Sequence, residues 1–182
     1  MSITKERQQT AYQALSEQFG YTSTMQSPRV EKVIISSGVG KKRDKKQIEL
    51  IEDRMAKITG QKAAPRAARL SIASFKVREG DTVGLQTTLR GARMYDFLDK
   101  LIHIALPRTR DFRGLSATAI DDMGNITIGI KENTIFPETS DEDLKDVFGF
   151  AVTIVTSAKS KEEAEAFFRH LGLPLRTAPA AK

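Results

Sequence analysis

The chain has 182 residues, of which 40% are hydrophobic and 29% charged, a balance typical of a soluble globular protein with a sizeable core. It contains no cysteine, no tryptophan and only two histidines, which excludes disulfides and thiolate metal sites and disfavours a zinc site. Its first seven residues lack the apolar core of a signal peptide, and no apolar run is long enough to span a bilayer.

The net charge of +6 is distributed unevenly along the chain. Residues 1–113 carry 22 Lys and Arg against 12 Asp and Glu, a difference of +10, whereas residues 114–182 carry 7 against 11, a difference of −4. We therefore expect a basic part that faces a polyanion and an acidic part that faces something else. Chance asymmetry of a solvated surface is the alternative.

The first 70 residues alternate between helical and strand patterns, separated by Gly and Pro. The predicted elements are a helix over residues 4–19, a strand over 30–35, a turn over 37–40, a helix from a capping box at Asp44 and Gln47 to Thr59, and a weak edge strand over 62–70 interrupted by Pro65.

The remainder of the chain contains the clearest strands. The predicted elements are a loop or hairpin over residues 71–80, a strand over 83–90, a helix over 93–106 ended by Pro107, strands over 125–131 and 150–156, and a helix that a capping box at Ser160 and Glu163 opens and Gly172 ends. We expect residues 1–176 to form a single domain and residues 177–182 a disordered tail.

This order of elements does not repeat a β-α-β unit, so it predicts an α+β fold, with a mostly antiparallel sheet and helices packed on one face. The two clearest strands carry a polar face, which could contact sugar, phosphate and base edges of RNA. A hydrated outer face is the alternative interpretation. The polar residues are Gln86, Thr88, Arg90, Thr127 and Lys131.

Basic residues are concentrated in the middle of the chain, where no Asp or Glu occurs from position 54 to 78. Arginine presents a planar fork of donors that matches phosphate, so this pattern favours a ribonucleoprotein surface over a catalytic cleft. The turn from Gly38 to Lys42 has the wrong spacing for a P-loop but could hold a backbone phosphate. The basic residues are Lys62, Arg66, Arg69, Lys76, Arg78, Arg90, Arg93, Arg108, Arg110 and Arg113.

Two patterns that could indicate catalysis have simpler interpretations. Asp121, Asp122 and Glu132 could hold Mg²⁺ in a nuclease, but Asp-Asp-Met-Gly-Asn is more simply a turn. His103 and His170 have no triad context and are interpreted as ordinary helix residues.

Two further features each have a functional and a structural interpretation. Phe75, near a loop tip, is a candidate for stacking on a base, with packing into the core as the alternative. The acidic segment 138–146 could meet a basic protein, or it could complement the dipole of a helix N-terminus.

A series of motifs in order resembles the bacterial large-subunit ribosomal protein five family, which binds 5S rRNA in the central protuberance. The resemblance covers roughly residues 4–176, and the arginine-rich blocks are specific to that family. The motifs are PRVEKVII at 28–35, GVG at 38–40, ITGQK at 58–62, FKVREG at 75–80, TLRG at 88–91, MYDFL at 94–98, ALPR at 105–108, RDFRGL at 110–115 and IFPE at 135–138.

The resemblance implies a structural constituent of the large ribosomal subunit that binds 5S rRNA, contacts 23S rRNA and P-site tRNA, and bridges to a small-subunit head protein. The implied 5S rRNA-binding residues are Arg29, Ser36, Gln61, Lys62, Arg66, Arg69, Thr88 and Arg90. The implied tRNA-contacting loop, within residues 74–83, has Ser74, Phe75, Lys76, Arg78, Glu79 and Gly80. The 23S rRNA or subunit-bridge residues are Arg108, Arg110 and Arg113.

Two departures from the family pattern affect these expectations. Serine stands at position 36, where the family usually has asparagine, and the run over residues 66–71 has fewer charges than the family's. We expect no catalytic residue, no cofactor, no metal, no membrane contact, a monomer off the ribosome and a cytoplasmic, ribosomal location. A free RNA chaperone and, with less support, a Mg²⁺-dependent nuclease are the alternatives.

Overall fold

A computed structural model of the chain describes residues 2–40, 45–139 and 147–176. These residues form an α+β fold, which confirms the predicted class. The elements are α1 (Ile3–Phe19), β1 (Val30–Gly38), α2 (Lys45–Thr59), β2 (Ala64–Ala67), β3 (Thr82–Leu89), α3 (Ala92–Lys100), β4 (Ile126–Ile130), β5 (Phe150–Thr156) and α4 (Lys161–Leu171). No helix within the described ranges has the length and apolar composition needed to cross a membrane.

The five strands form one antiparallel sheet in the order β2-β3-β1-β5-β4. The short strand β2 lies at an edge, as Pro65 predicts, because proline cannot donate a hydrogen bond to a second neighbour. In the β2–β3 pair, Ala64 is opposite Gln86 and Arg66 is opposite Gly84, and the register shifts after Arg66.

Side chains alternate along the strands between a buried and a partly exposed face. In β3 the side chains of Leu85, Thr87 and Leu89 are buried, whereas those of Gln86 and Thr88 are half-buried. The alternation in β4 and β5 is equally regular and follows the predicted period of two.

The chain separates into two compact units. The first unit comprises the described residues of 1–33, 90–128 and 153–182, and the second those of 34–89 and 129–152. Whether residues 1–176 behave as a single domain stays a prediction, and the predicted tail, 177–182, lies outside the described residues.

In the first unit, α1 packs against α3 and α4. The carboxylate of Asp99, on α3, accepts the backbone N–H of Ile3 at 3.1 Å and of Thr4 at 2.8 Å, and so caps the first turn of α1. At the C-terminal end of α4, the Arg7 guanidinium donates to the carbonyl of Leu171 at 2.9 Å. The last helix buries Ala164, Phe167, Phe168 and Leu171, the stripe predicted from the sequence.

In the second unit, α2 packs against β3 and against a 3-10 turn over Pro137–Thr139. Its buried residues include Ile51, Met55 and Ile58, as the period of the apolar residues predicts. Because three apolar side chains of one stripe are fully buried, the polar face of α2 is left toward solvent.

Two predicted details of the first half are corrected. The predicted start of the turn over residues 37–40 is wrong, because β1 continues to Gly38. The N–H of Val39 also donates to the carbonyl of Val83 at 2.9 Å. Glycine near a strand end does not stop pairing when a neighbouring strand offers an acceptor. Helix α2 begins by Lys45, and the proposed cap at Asp44 lies outside the described residues.

Two further corrections concern helices of the second half. The helix predicted over 93–106 is α-helical only to Lys100, and Leu101–Ala105 form a π-helical turn with the N–H of Leu106 donating to the carbonyl of Leu101 at 2.9 Å. In the capping box, Ser160 accepts the N–H of Glu163 as predicted, but the Glu163 carboxylate accepts the N–H of Lys159 rather than that of Ser160.

Candidate nucleic-acid interface

The partly exposed face of the second unit combines polar and small side chains from three neighbouring strands. Ser36 projects from β1 on the opposite side to the buried Ser37, and Thr88 projects from β3 on the opposite side to the buried Leu89. Arg66 lies across from Gly84 on the edge strand β2. Because Gly84 has no side chain, the Arg66 side chain meets no bulky neighbour at that position.

The Arg66 guanidinium is held in place by a neighbouring side chain. Its Nε–H donates to Oε1 of Gln86 at 2.6 Å, and Arg66 itself is exposed. This bond restrains the planar group through one donor, and the terminal nitrogens of the exposed residue can donate to other partners. This arrangement suits a bidentate contact with a phosphate.

The turn after α2 places Gln61 beside Thr88. Gly60 adopts φ +68°, and the buried Thr59 hydroxyl contacts the carbonyls of Met55 at 2.7 Å and Gln61 at 2.9 Å. The Gln61 side chain then donates from Nε2 to the carbonyl of Thr88 at 3.4 Å. Two residues implied by the family resemblance are thus close together, although the sequence separates them by 27 positions.

Lys62 extends from the same turn into solvent, with 83% of its side chain exposed. Its Nζ lies 3.2 Å from Oε1 of Glu52 on α2. An exposed pair of this kind contributes little to stability and is easily exchanged for a phosphate partner. Lys62 is therefore available to a polyanion.

The remaining residues implied to bind 5S rRNA are all exposed but are divided between the units. Arg69 follows β2 in the second unit. Arg29 and Arg90 belong to the first unit, where the N–H of Arg29 donates to the Ser157 hydroxyl at 3.0 Å. Ser36, Gln61, Lys62, Arg66 and Thr88 thus form the compact part of the implied set.

The loop predicted over residues 71–80 is a hairpin closed by backbone hydrogen bonds. Ile72 and Val77 exchange N–H···O bonds of 2.9 and 3.2 Å, and a 3-10 turn over Ala73–Phe75 ends at Lys76, whose φ of 53° lies in the left-handed region. At its base, the carboxylate of Asp81 accepts the N–H of Arg78 at 2.8 Å. Backbone hydrogen bonds and the Asp81 carboxylate thus define the conformation of this exposed hairpin.

The residues implied to contact tRNA are all exposed on this hairpin: Ser74, Phe75, Lys76, Arg78, Glu79 and Gly80. The Phe75 ring is 73% exposed, so the alternative that it packs into the core is wrong. An exposed aromatic residue on the same hairpin as the exposed Lys76 and Arg78 matches a surface that stacks on nucleic-acid bases.

Arg108, Arg110 and Arg113 are exposed on the segment that follows the π-helical turn in the first unit. The segment is anchored at its end, because Leu115 donates its N–H to the carbonyl of Pro174 at 2.7 Å and accepts from Arg176 at 2.8 Å. Arg176 also donates from Nε to the carbonyl of Arg113 at 3.0 Å.

Sequence reasoning missed Arg176 and Glu52 as members of these surfaces. Arg176 adds a fourth exposed guanidinium beside Arg113, and Glu52 is the acidic partner of Lys62. Neither has a local sequence signal, since Arg176 contacts a residue 63 positions away and Glu52 contacts Lys62 across the turn that ends α2.

The turn over residues 121–125 is a hydrogen-bonded loop. Asp121 accepts the backbone N–H of Asn125 at 2.7 Å and its side-chain amide at 3.0 Å. Partial burial opposes ionisation, but these bonds outweigh it and lower the pKa of Asp121. In the part of the chain that the structure describes, no three His, Cys, Asp or Glu residues cluster as metal ligands would. His170 joins α4 to α1 through the carbonyl of Arg7 at 2.8 Å.

Most of the sequence matches the models of one protein family. Residues 23–78 match the model described as ribosomal protein L5, and residues 82–175 match the model for the C-terminus of the same ribosomal family. Proteins named large ribosomal subunit protein uL5 are similar to this chain. That of Flavobacterium johnsoniae is 45% identical over 96% of each chain. That of Trichlorobacter lovleyi is 47% identical over 93% of this chain and 95% of its own.

Proposed function

The chain belongs to the ribosomal protein L5 family, and on that premise we propose that it anchors 5S rRNA in the large ribosomal subunit. As a member of this family it is a structural, non-enzymatic constituent of the ribosome, and its location is cytoplasmic. The finer proposal is that the compact set Ser36, Gln61, Lys62, Arg66 and Thr88 binds 5S rRNA.

The observation that carries this proposal is the Gln61–Thr88 contact beside the oriented guanidinium of Arg66. It combines donors for phosphate with an amide and a hydroxyl that can reach a sugar or a base edge. All of these residues lie on secondary structure or on a turn fixed by Thr59, so little backbone entropy is lost on binding.

The test is the affinity of Gln61→Ala and Thr88→Ala for labelled 5S rRNA, measured by filter binding at fixed salt. Each substitution should weaken binding roughly two- to tenfold, as the loss of one hydrogen bond predicts. The free energy of unfolding should change by less than about 0.5 kcal/mol, because both side chains are partly exposed.

Thr127→Ala is the matched control, since Thr127 is a polar residue on the exposed face of β4, outside the set. Its affinity should equal that of the unmodified chain. Equal losses from Thr127→Ala and Thr88→Ala would contradict the assignment. Saturation at one chain per 5S rRNA supports the anchoring role, whereas equal affinity for unrelated RNAs would support the chaperone alternative.

We further propose that the hairpin over residues 72–80 contacts P-site tRNA. The exposed Lys76 and Arg78 supply positive charge, and the exposed Phe75 supplies an aromatic ring. The double substitution Lys76→Ala and Arg78→Ala should leave 5S rRNA affinity unchanged within about twofold and should reduce P-site tRNA retention on reconstituted ribosomes. Loss of 5S rRNA binding instead would assign this hairpin to the 5S interface.

Arg108, Arg110 and Arg113 are proposed to contact 23S rRNA or to take part in the bridge to the small-subunit head protein. Their exposure on an anchored segment supports the proposal. Off the ribosome the chain is proposed to be a monomer.

A further inference from the structure

A cleft of about 290 Å³ opens in the first unit between the end of α1 and the start of α4. Its volume is near the lower end of small-molecule sites, which begin at roughly 300 Å³, so it has room for one small planar group. The proposed RNA-contacting residues above lie elsewhere. The lining residues are Phe19, Gly20, Tyr21, Gln26, Lys159, Ser160 and Glu163.

One part of the lining is aromatic. The rings of Phe19 and Tyr21 are stacked on each other, with centroids 6.0 Å apart and an angle of 21° between their planes. This near-parallel pair gives the lining of the cleft an aromatic surface. Such surfaces bind the faces of unpaired bases.

A buried carboxylate lies at the bottom of the cleft. Glu163 is only 7% exposed, and its Oε2 accepts the N–H of Lys159 at 2.7 Å while its Oε1 accepts the phenol of Tyr21. Burial, together with this hydrogen bond to Glu163, raises the pKa of Tyr21 above its ordinary value. Each carboxylate oxygen retains a second lone pair, and Glu163 is therefore an oriented acceptor with unused capacity.

The rim of the cleft supplies donors. The Oε1 atom of Gln26 accepts the N–H of Thr22 at 3.0 Å and its hydroxyl at 3.3 Å, so the NH₂ group is the part of the amide that faces other partners. Lys159 is exposed at the same rim and can only donate. The cleft thus combines a flat wall, a fixed acceptor and two kinds of donor.

We propose that this cleft binds one unpaired guanine base of RNA. Guanine has two adjacent donors, N1–H and the N2 amino group, for the Glu163 carboxylate, and its O6 and N7 accept from Lys159 and Gln26. Adenine, cytosine and uracil each lack this combination, because none has two adjacent donors on its pairing edge. This inference rests on the proposed function in one respect, which is that RNA supplies the guanine base.

The test is a titration of the full ¹⁵N-labelled chain with free nucleotides, followed by the amide signals of Tyr21, Ser160 and the Gln26 side chain. GMP should shift these signals and saturate. IMP, which lacks the N2 amino group, should bind at least about tenfold more weakly. Ribose 5-phosphate should leave them unchanged.

Equal shifts from ribose 5-phosphate would show an anion site and overturn the proposal, as would equal affinity for all four bases or the absence of any shift. This titration contains no 5S rRNA, so its result is independent of the 5S rRNA-binding test. Either proposal can therefore be disproved while the other is supported.

A second test uses variants that keep Ser160 and Glu163, which cap α4, so that a change in GMP binding does not arise from loss of this helix. Gln26→Ala combined with Lys159→Met changes two exposed side chains and should weaken GMP binding at least about tenfold. Lys161→Met is the matched control, since it removes the same charge two residues further on, outside the lining. Its GMP affinity should equal that of the unmodified chain, and an equal loss in both variants would overturn the proposal.

Discussion

Ser36 is the member of the proposed 5S rRNA-binding set that departs from the family pattern. It lies half-buried on β1, on the same side of the sheet as Thr88 is on β3, and it has a hydroxyl where the family usually has an amide. Serine keeps a donor and an acceptor but loses the reach and the planar geometry of asparagine. The partial burial suits a longer side chain that extends toward solvent.

We therefore expect Ser36→Asn to strengthen 5S rRNA binding. A gain of roughly two- to tenfold corresponds to one additional hydrogen bond. Filter binding at fixed salt measures the change, and Thr127→Asn, which adds an amide on β4 instead, should have no effect. Weaker binding by Ser36→Asn would show that this position does not face the RNA.

The secondary-structure elements are predictable where their signal is local. The alternation of Ile126, Ile128 and Ile130 in β4 and the apolar stripe of α4 both follow from residue spacing and are buried as predicted. These patterns suffice because an element that buries one face must repeat its apolar residues at its own period.

The errors have a different origin, because each involves a partner distant in the sequence. Strand β1 continues past position 37 because the carbonyl of Val83 supplies an acceptor. The Glu163 carboxylate does not accept the N–H of Ser160, because Tyr21 and Lys159 donate to it instead. In the same way, the family resemblance names Gln61 and Thr88 singly, whereas their contact follows from folding. The hydrogen bonds within the hairpin over residues 72–80 could not be predicted from local sequence patterns either.

The cap that α3 provides for α1 makes stability depend on pH. Partial burial would raise the pKa of Asp99, but hydrogen bonds from Ser2, Thr4 and Ile3 outweigh it and lower the pKa below its ordinary value of 3.8. The folded state therefore binds fewer protons than the unfolded state in this range. This stabilisation is complete above pH 3.8 and is lost as the pH falls through the lowered pKa.

Asp99→Asn should consequently lower the free energy of unfolding at pH 7, and the difference from the unmodified chain should shrink below pH 3.8. Urea unfolding at a series of pH values measures both quantities. Asp96→Asn, an exposed change on the same helix, should leave the curve unchanged. A difference that is constant from about pH 7 to about pH 2.5, within about 0.3 kcal/mol, would disprove the electrostatic role of the Asp99 cap.

At the scale of the whole molecule, the charge asymmetry of the sequence predicts how affinity depends on salt. If six of the basic side chains meet phosphates, the logarithm of 5S rRNA affinity should fall with the logarithm of salt concentration at a slope of roughly −5. Arg66→Ala should reduce that slope by about one. Lys161→Met, outside the proposed interface, should not alter it, and a slope near zero would exclude phosphate contacts as the main source of affinity.

The contact between α1 and α4 joins the two ends of the described chain. Arg7 reaches the carbonyl of Leu171 across 164 positions, and its guanidinium occupies the space that a side chain at Gly172 would need. Translation delivers residues from the N-terminus onward, so α1 leaves the peptide tunnel well before its docking partner exists. During synthesis, the side of α1 that packs against α4 therefore stays uncovered until α4 has been made, although α3 is available earlier.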